Sequence, residues 1–195
     1  MENEKIIYSL QNEFHMLRHF EGISDELREQ LLISGKTQES IDHELAEPGS
    51  RFYSKFAPDI TTLLQRLFSG VYVEELGGNG NIILNGEANI RAFPNGIGTL
   101  SVVPLESIPI EHRDRIYYQV NRGVALKHIK VDKLPSTHLY SVITRPIEAK
   151  RQFITAFPGP PAMPLPDSKM EKSFFDACEL YWNQHVFLVE EVYTK

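Results

Sequence analysis

VYVEELGGNGNIILN, residues 71–85, is the stretch that decides the fold. Two runs rich in β-branched and aliphatic residues, 71–76 and 81–85, flank Gly77, Gly78, Asn79 and Gly80. Glycine and asparagine reach positive φ at little cost, so the stretch predicts a β-hairpin. The glycines do not make a phosphate loop, because no Gly-Lys-Ser/Thr ending and no convincing helix follow them. Further strands are expected at 87–93 and 97–103, with Pro94, Asn95 and Gly96 between them. Three more are expected at 124–131, 138–144 and 152–157, bounded by Gly123, Pro135, Pro146 and Pro158. Their connections are too short for βαβ crossovers, which implies antiparallel pairing. Residues 107–123 carry mixed signals. Pro109, Glu111 and Gly123 frame a helix, Ile116, Tyr117, Tyr118 and Val120 favour a strand, and the helix is the expectation adopted.

Upstream of the hairpin the pattern is helical. Ile6, Leu10, Phe14 and Leu17 fall on one stripe, and Ser24 can cap a second helix that carries Leu27 and Leu31 and stops at Gly35. A short third helix is expected from Thr37 through His43, ended by Pro48 and Gly49. Ile60, Leu63, Leu64 and Leu67 then follow Pro58 and Asp59 in the clearest amphipathic pattern of the first half. Downstream, the prolines at 158, 160, 161, 164 and 166 exclude regular helix and predict an extended strap; a proline-rich docking ligand is the alternative. Ser168 with Glu171 has the spacing of a capping box before a last helix that buries Phe174, Phe175, Cys178, Trp182 and Val186.

Together these elements predict one α+β domain over 1–195. A helical N-terminal half (1–70) packs on an antiparallel β-sheet (71–166), and a C-terminal helix (167–195) closes it. With 42% apolar and 10% aromatic residues, the chain can bury a sizeable core. Its longest apolar runs fall far short of the roughly 20 residues a membrane span needs. Met1 to Lys5 do not open a secretory signal, and Cys178 alone cannot form a disulfide framework, so a soluble cytoplasmic protein with no membrane contact is expected.

The net charge of −6 is unevenly spread. Residues 112–151 hold nine bases and three acids, a balance of +6, while the rest of the chain holds 11 bases and 23 acids. That basic stretch contains the side chains best suited to chemistry: Arg122, His128 and Lys130, then Thr137 and His138, with Thr155 shortly after. Alternation places His128 and Lys130 on one face of their strand. Metal-free RNA cleavage needs a base for the 2′-hydroxyl, an acid for the leaving oxygen, and cations or hydroxyls for the charged phosphorane. Histidine suits the first two roles, and lysine, arginine or threonine the third.

In order and type these residues resemble the metal-independent endoribonucleases of the barnase, EndoU and RelE type, which include many bacterial toxin domains. The resemblance covers about residues 107–166 and includes the stretch Phe153 to Pro166. It implies an RNA phosphodiesterase without cofactor, in which His128 and His138 act as acid and base while Lys130, Arg122 and Thr155 steady the transition state.

Each of these residues also has an ordinary use. His128 suits a core edge, His138 can pin the strand after Pro135, Thr155 can fill a strand, and Arg122 before Gly123 suits a helix C-terminus. The alternative function is a non-catalytic binding or regulatory protein. Its acidic helical half, with seven bases and 12 acids over 1–70, would engage a basic protein partner. Metal binding is disfavoured by the irregular spacing of His112, His128 and His138, and no Gly-x-Ser-x-Gly elbow or dinucleotide fingerprint occurs. Cys178 falls on the apolar stripe of the last helix, as a packing residue would.

Overall fold

In a computed structural model the described residues are 6–7, 14–46, 49–68, 70–77, 80–121, 123–148 and 150–191. The fold is α+β, with helices, largely antiparallel sheets and a C-terminal helix. The chain divides into two compact units, residues 1–99 with 136–161 and residues 100–135 with 162–195.

Unit 1 is built on a five-stranded sheet of order β1-β11-β10-β4-β3. Its strands are β1 (Ile6–Ile7), β3 (Tyr72–Leu76), β4 (Ile82–Glu87), β10 (Leu139–Ile147) and β11 (Lys150–Pro158). The hairpin predicted from residues 71–85 is therefore present, with Leu76 paired to Ile82. Helix α3 (Ile60–Phe68) starts where Asp59 accepts from the Thr62 amide at 2.8 Å, a side-chain cap for an orphan helix donor. Its Ile60, Leu63, Leu64 and Leu67 join Leu84, Tyr140, Val142, Phe153 and Ala156 in one core. The Tyr140 hydroxyl donates to Leu67 O at 2.7 Å, which satisfies a carbonyl at the end of α3. Gly86 faces that phenol: a Cβ at this position would run into the Tyr140 ring. A second, three-stranded sheet joins β2 (Arg51–Phe52), β5 (Gly98–Thr99) and β9 (Ser136–Thr137). There Gly98 lies so close to β2 that a Cβ would meet the Arg51 carbonyl.

Two further helices follow the expected signals with altered bounds. Ser24 caps α1 (Asp25–Ile33) by accepting from the Leu27 amide at 3.2 Å. The next, α2, runs Gln38–Ala46, three residues past the expected end at His43. Pro48 lies outside the described residues. The first predicted helix is corrected. Ile6 and Ile7 form β1, parallel to Arg151 and Gln152 of β11, and helical structure begins at 14–16 and continues as a 3₁₀ turn at Leu17–His19. The 87–93 strand is also absent: Asn89 O accepts from the amides of Ala92 and Phe93, and the Asn89 side chain accepts from Arg91 N, closing a turn. Asparagine's ability to satisfy nearby amides outweighs the β-branched signal here.

Unit 2 holds a four-stranded sheet of order β6-β12-β8-β7, from β6 (Val102–Pro104), β7 (Tyr117–Asn121), β8 (Val124–Val131) and β12 (His185–Glu190). The predicted helix over 107–123 is corrected to a 3₁₀ turn at Ile110–Arg115 followed by β7. The strand signals of Ile116 to Val120 prevailed, and of the helix frame the start at Pro109 survives as the 3₁₀ turn. Helix α4 (Lys172–Asn183) is capped by Glu171, which accepts from Ser173 N, rather than by Ser168. It buries Cys178 and Trp182, whereas Phe174 and Phe175 are only half-buried and Val186 belongs to β12. β12 runs parallel to β8, an exception to the antiparallel expectation, because α4 returns the chain as a crossover. Val186 and Leu188 pack with Ile108 and Ile129 on one face. The proline segment has no regular structure after Pro158, and Pro164 O accepts from Trp182 Nε1 at 3.1 Å, as a strap would.

Candidate functional site

Four of the five predicted residues are described, and each has its own local partners within its unit. His128 belongs to unit 2 and His138 to unit 1. His128 is buried in a row of rings that crosses three strands: Tyr117 on β7 at 5.6 Å, Phe187 on β12 at 5.1 Å, and then Trp182 of α4, 5.0 Å from Phe187. These side chains meet because Tyr117, His128 and Phe187 are register partners and so share a sheet face. His128 Nδ1 lies 3.0 Å from Leu126 O, which fixes the proton on Nδ1 in the neutral ring. His138 Nε2 lies 2.7 Å from Phe93 O and the His138 carbonyl accepts from Ala88, so this residue fastens the 88–96 turns to the strand. Lys130 pairs with Glu191 at 3.4 Å. Arg122 lies outside the described residues.

Thr155 is the predicted residue that meets new company. It is buried on β11, with its hydroxyl 3.8 Å from Met16 Sδ, while the Ala156 amide donates to the same sulfur at 3.3 Å. Met16 thus seats the 14–19 helical segment on β11. That segment carries His15 and His19, whose ring centroids are 6.1 Å apart, and His19 lies 5.6 Å from the Phe157 ring. Arg18 stands between them in sequence and forms a bidentate pair with Glu44 at 2.8 and 3.0 Å. Arg51 on β2 reaches Phe20 O at 3.5 Å.

Burial, reinforced by His15 and by the guanidiniums of Arg18 and Arg51, pushes the His19 pKa down to about 3. His15 is also lowered, by burial and then Arg18, against an upward pull from Glu44. The Arg51 pKa is lowered by burial, with the Glu21 carboxylate opposing. Two neutral imidazoles and two guanidiniums therefore share one neighbourhood with the Thr155 strand. A bound anion there would be attracted by the arginines and would raise both histidine pKa values. The sequence does signal this pair, through His-x-x-x-His with an arginine inside it at residues 15–19. The remote Arg51 and Thr155 join it only through tertiary structure.

The basic stretch is divided between the units. Residues 136–151 stay in unit 1, where Arg151 makes a bidentate pair with Glu74 at 3.0 and 3.1 Å and Arg145 donates to Asn81 at 3.2 Å. Residues 112–135 lie in unit 2. No grouping of three or more His, Cys, Asp or Glu side chains suited to a metal occurs among the described residues. No helix among them is long and apolar enough to cross a membrane. No protein-family model, no curated protein and no solved structure matches this chain.

Proposed function

We propose that unit 1 is a metal-independent endoribonuclease whose acid and base are His15 and His19. The observation that carries the proposal is the 6.1 Å separation of the two rings, on a segment that Met16 seats against β11, with the guanidiniums of Arg18 and Arg51 acting on His19. His19 is neutral but weakly basic in the free protein, and it takes the proton of an RNA 2′-hydroxyl once the bound phosphate has raised its pKa towards the working pH. The 2′-oxygen attacks phosphorus, the P–O5′ bond breaks, and His15 returns a proton to the leaving O5′. Burial and Arg18 hold His15 neutral in the free protein against the smaller pull of Glu44, so the protonated form that this step requires depends on the charge of the bound phosphate. Arg51 contributes positive charge to balance the phosphorane, while Arg18 is committed to its bidentate pair with Glu44. The products are a 2′,3′-cyclic phosphate and a 5′-hydroxyl. This keeps the reaction class implied by the barnase, EndoU and RelE resemblance and moves its histidines to the helical leader.

The test is incubation of mixed single-stranded RNA with the full chain in EDTA, with the fragment ends identified. Cyclic phosphate ends are expected, and His15→Ala or His19→Ala should slow their appearance by about 10²-fold or more. Absence of cleavage, or equal cleavage by the variants, would reject the assignment.

The acidic helical half favours a second role, the non-catalytic binding of a basic protein. Helix α1 has no buried residue, and Leu32 and Ile33 are 42% and 80% exposed near Asp25, Glu26 and Glu29. Apolar side chains within an acidic rim suit a partner with a basic rim of its own. Replacing Leu32 and Ile33 by serine should abolish capture of such a partner at low salt, whereas capture that survives would exclude this surface.

A further inference from the structure

The outer strand of the unit 2 sheet presents side chains that neither the core nor the proposed cleavage site uses. Among the described residues β7 pairs with β8 alone, and Tyr117, Tyr118 and Val120 are 37%, 65% and 69% exposed. Tyr118 is the register partner of Lys127, whose Nζ lies 5.8 Å from the ring centroid and donates to Asn183 O at 3.0 Å. The 3₁₀ turn before β7 supplies Arg113 and Arg115. Backbone carbonyls orient both guanidiniums, Arg113 through Ile108 O at 3.0 Å and Arg115 through Lys130 O at 3.4 Å, and carbonyls leave the formal charge uncancelled. Over residues 112–135 six bases face two acids.

An exposed aromatic ring beside fixed cations is the arrangement that holds an unpaired base and its phosphates. Lysine occupies one side of the Tyr118 ring, and its exposure leaves room for a base on the other. A duplex keeps its bases stacked inside, so a protruding tyrosine gains nothing from it. We propose that the β7–β8 hairpin of unit 2 binds single-stranded RNA, with a base stacked on Tyr118 and the backbone phosphates following Arg113, Arg115 and Lys127. Among the described residues β7 also has an edge that strand pairing could use, but a peptide strand has no need of Arg113, Arg115 and Lys127 beside it. The RNA site goes beyond the cleavage proposal and does not require it, since a chain that grips RNA without cutting it would still satisfy it.

The experiment is fluorescence anisotropy of a labelled oligouridylate of about ten nucleotides in EDTA. The full chain carries His19→Ala, so that the probe survives. Tyr118→Ala should weaken binding at least fivefold, given about 1–3 kcal/mol per stacked base, while Tyr118→Phe should retain it. The double change Arg113→Ala with Arg115→Ala should flatten the dependence of log K on log salt by about 1.4, about 0.7 for each phosphate that is no longer neutralised. Circular dichroism of each variant establishes that it folds. Binding unchanged in Tyr118→Ala, or an unchanged salt slope, would overturn the proposal. A chain dimer that Tyr118→Ala dissociates, with no oligouridylate bound, would overturn it in favour of strand pairing between copies. Binding without cleavage by the unmodified chain would support this site and reject the nuclease.

Discussion

His19 should make the protein lose stability in mild acid, and the loss can be isolated in one variant. The folded state holds the His19 pKa at about 3, against 6.5 for the ordinary side chain, so the unfolded chain binds the proton more readily. Stability from this group is fully present above pH 6.5 and falls as the pH drops towards 3, the reverse of a histidine that gains a carboxylate partner. At about pH 4.5 the unfolded imidazole is protonated and the folded one is not, which corresponds to about 2.7 kcal/mol at about 1.4 kcal/mol per pH unit. His19 keeps part of its surface exposed, and discounting for solvent gives about 2 kcal/mol. Urea denaturation of the wild type and of His19→Gln, at about pH 7.5 and about pH 4.5, measures the difference with the titration of all other groups nearly cancelled. The wild type should lose about 2 kcal/mol more than the variant between the two conditions. Parallel losses in the two proteins would refute the view that the arginines and burial keep His19 neutral.

Other expectations concern the frame around the site. Gly98→Ala should destabilise unit 1 by about 2 kcal/mol or more, because the Arg51 carbonyl occupies the Cβ position, whereas Gly22→Ala meets nothing and should be nearly silent in the same urea melts. Tyr140→Phe removes a donor from the Leu67 carbonyl and should cost about 1–2 kcal/mol by the same measurement. His138→Ala removes one of two donors to the Phe93 carbonyl, which keeps the Gly96 amide, and should cost about 1 kcal/mol, with amide exchange accelerated at Ala92 and Phe93.

Much of the fold was legible because its signals were local. The 71–85 hairpin follows from glycines at a turn, α3 from one apolar stripe and an aspartate cap, and β8 from an unbroken run between Gly123 and Asp132. The failures have local causes too. Ile6 and Ile7 fit a helical stripe equally well, and only the distant β11 made them a strand. At Asn89 a side-chain turn prevailed over strand-forming neighbours. The candidate site was less legible than the fold. Charge drew attention to residues 112–151, yet the chain sends the two halves of that stretch into different units, and Lys130 and Arg151 are committed to ion pairs there. Histidine type and order cannot say whether a ring faces a ligand or a carbonyl. His128 and His138 each hold a backbone carbonyl, while the rings of His15 and His19 stand 6.1 Å apart and Arg51 of another element acts on His19.

The proposed RNA cleavage assigns acid and base to His15 and His19. One side-by-side measurement addresses it: initial rates on a fluorogenic single-stranded RNA in EDTA for the wild type, His15→Gln, His19→Gln, His128→Gln and His138→Gln, each first verified as folded. The first two variants should fall by about 10²-fold or more, while folded His128→Gln and His138→Gln stay within about threefold of the wild type. Loss of activity in His128→Gln or His138→Gln with His15→Gln and His19→Gln unaffected would contradict it.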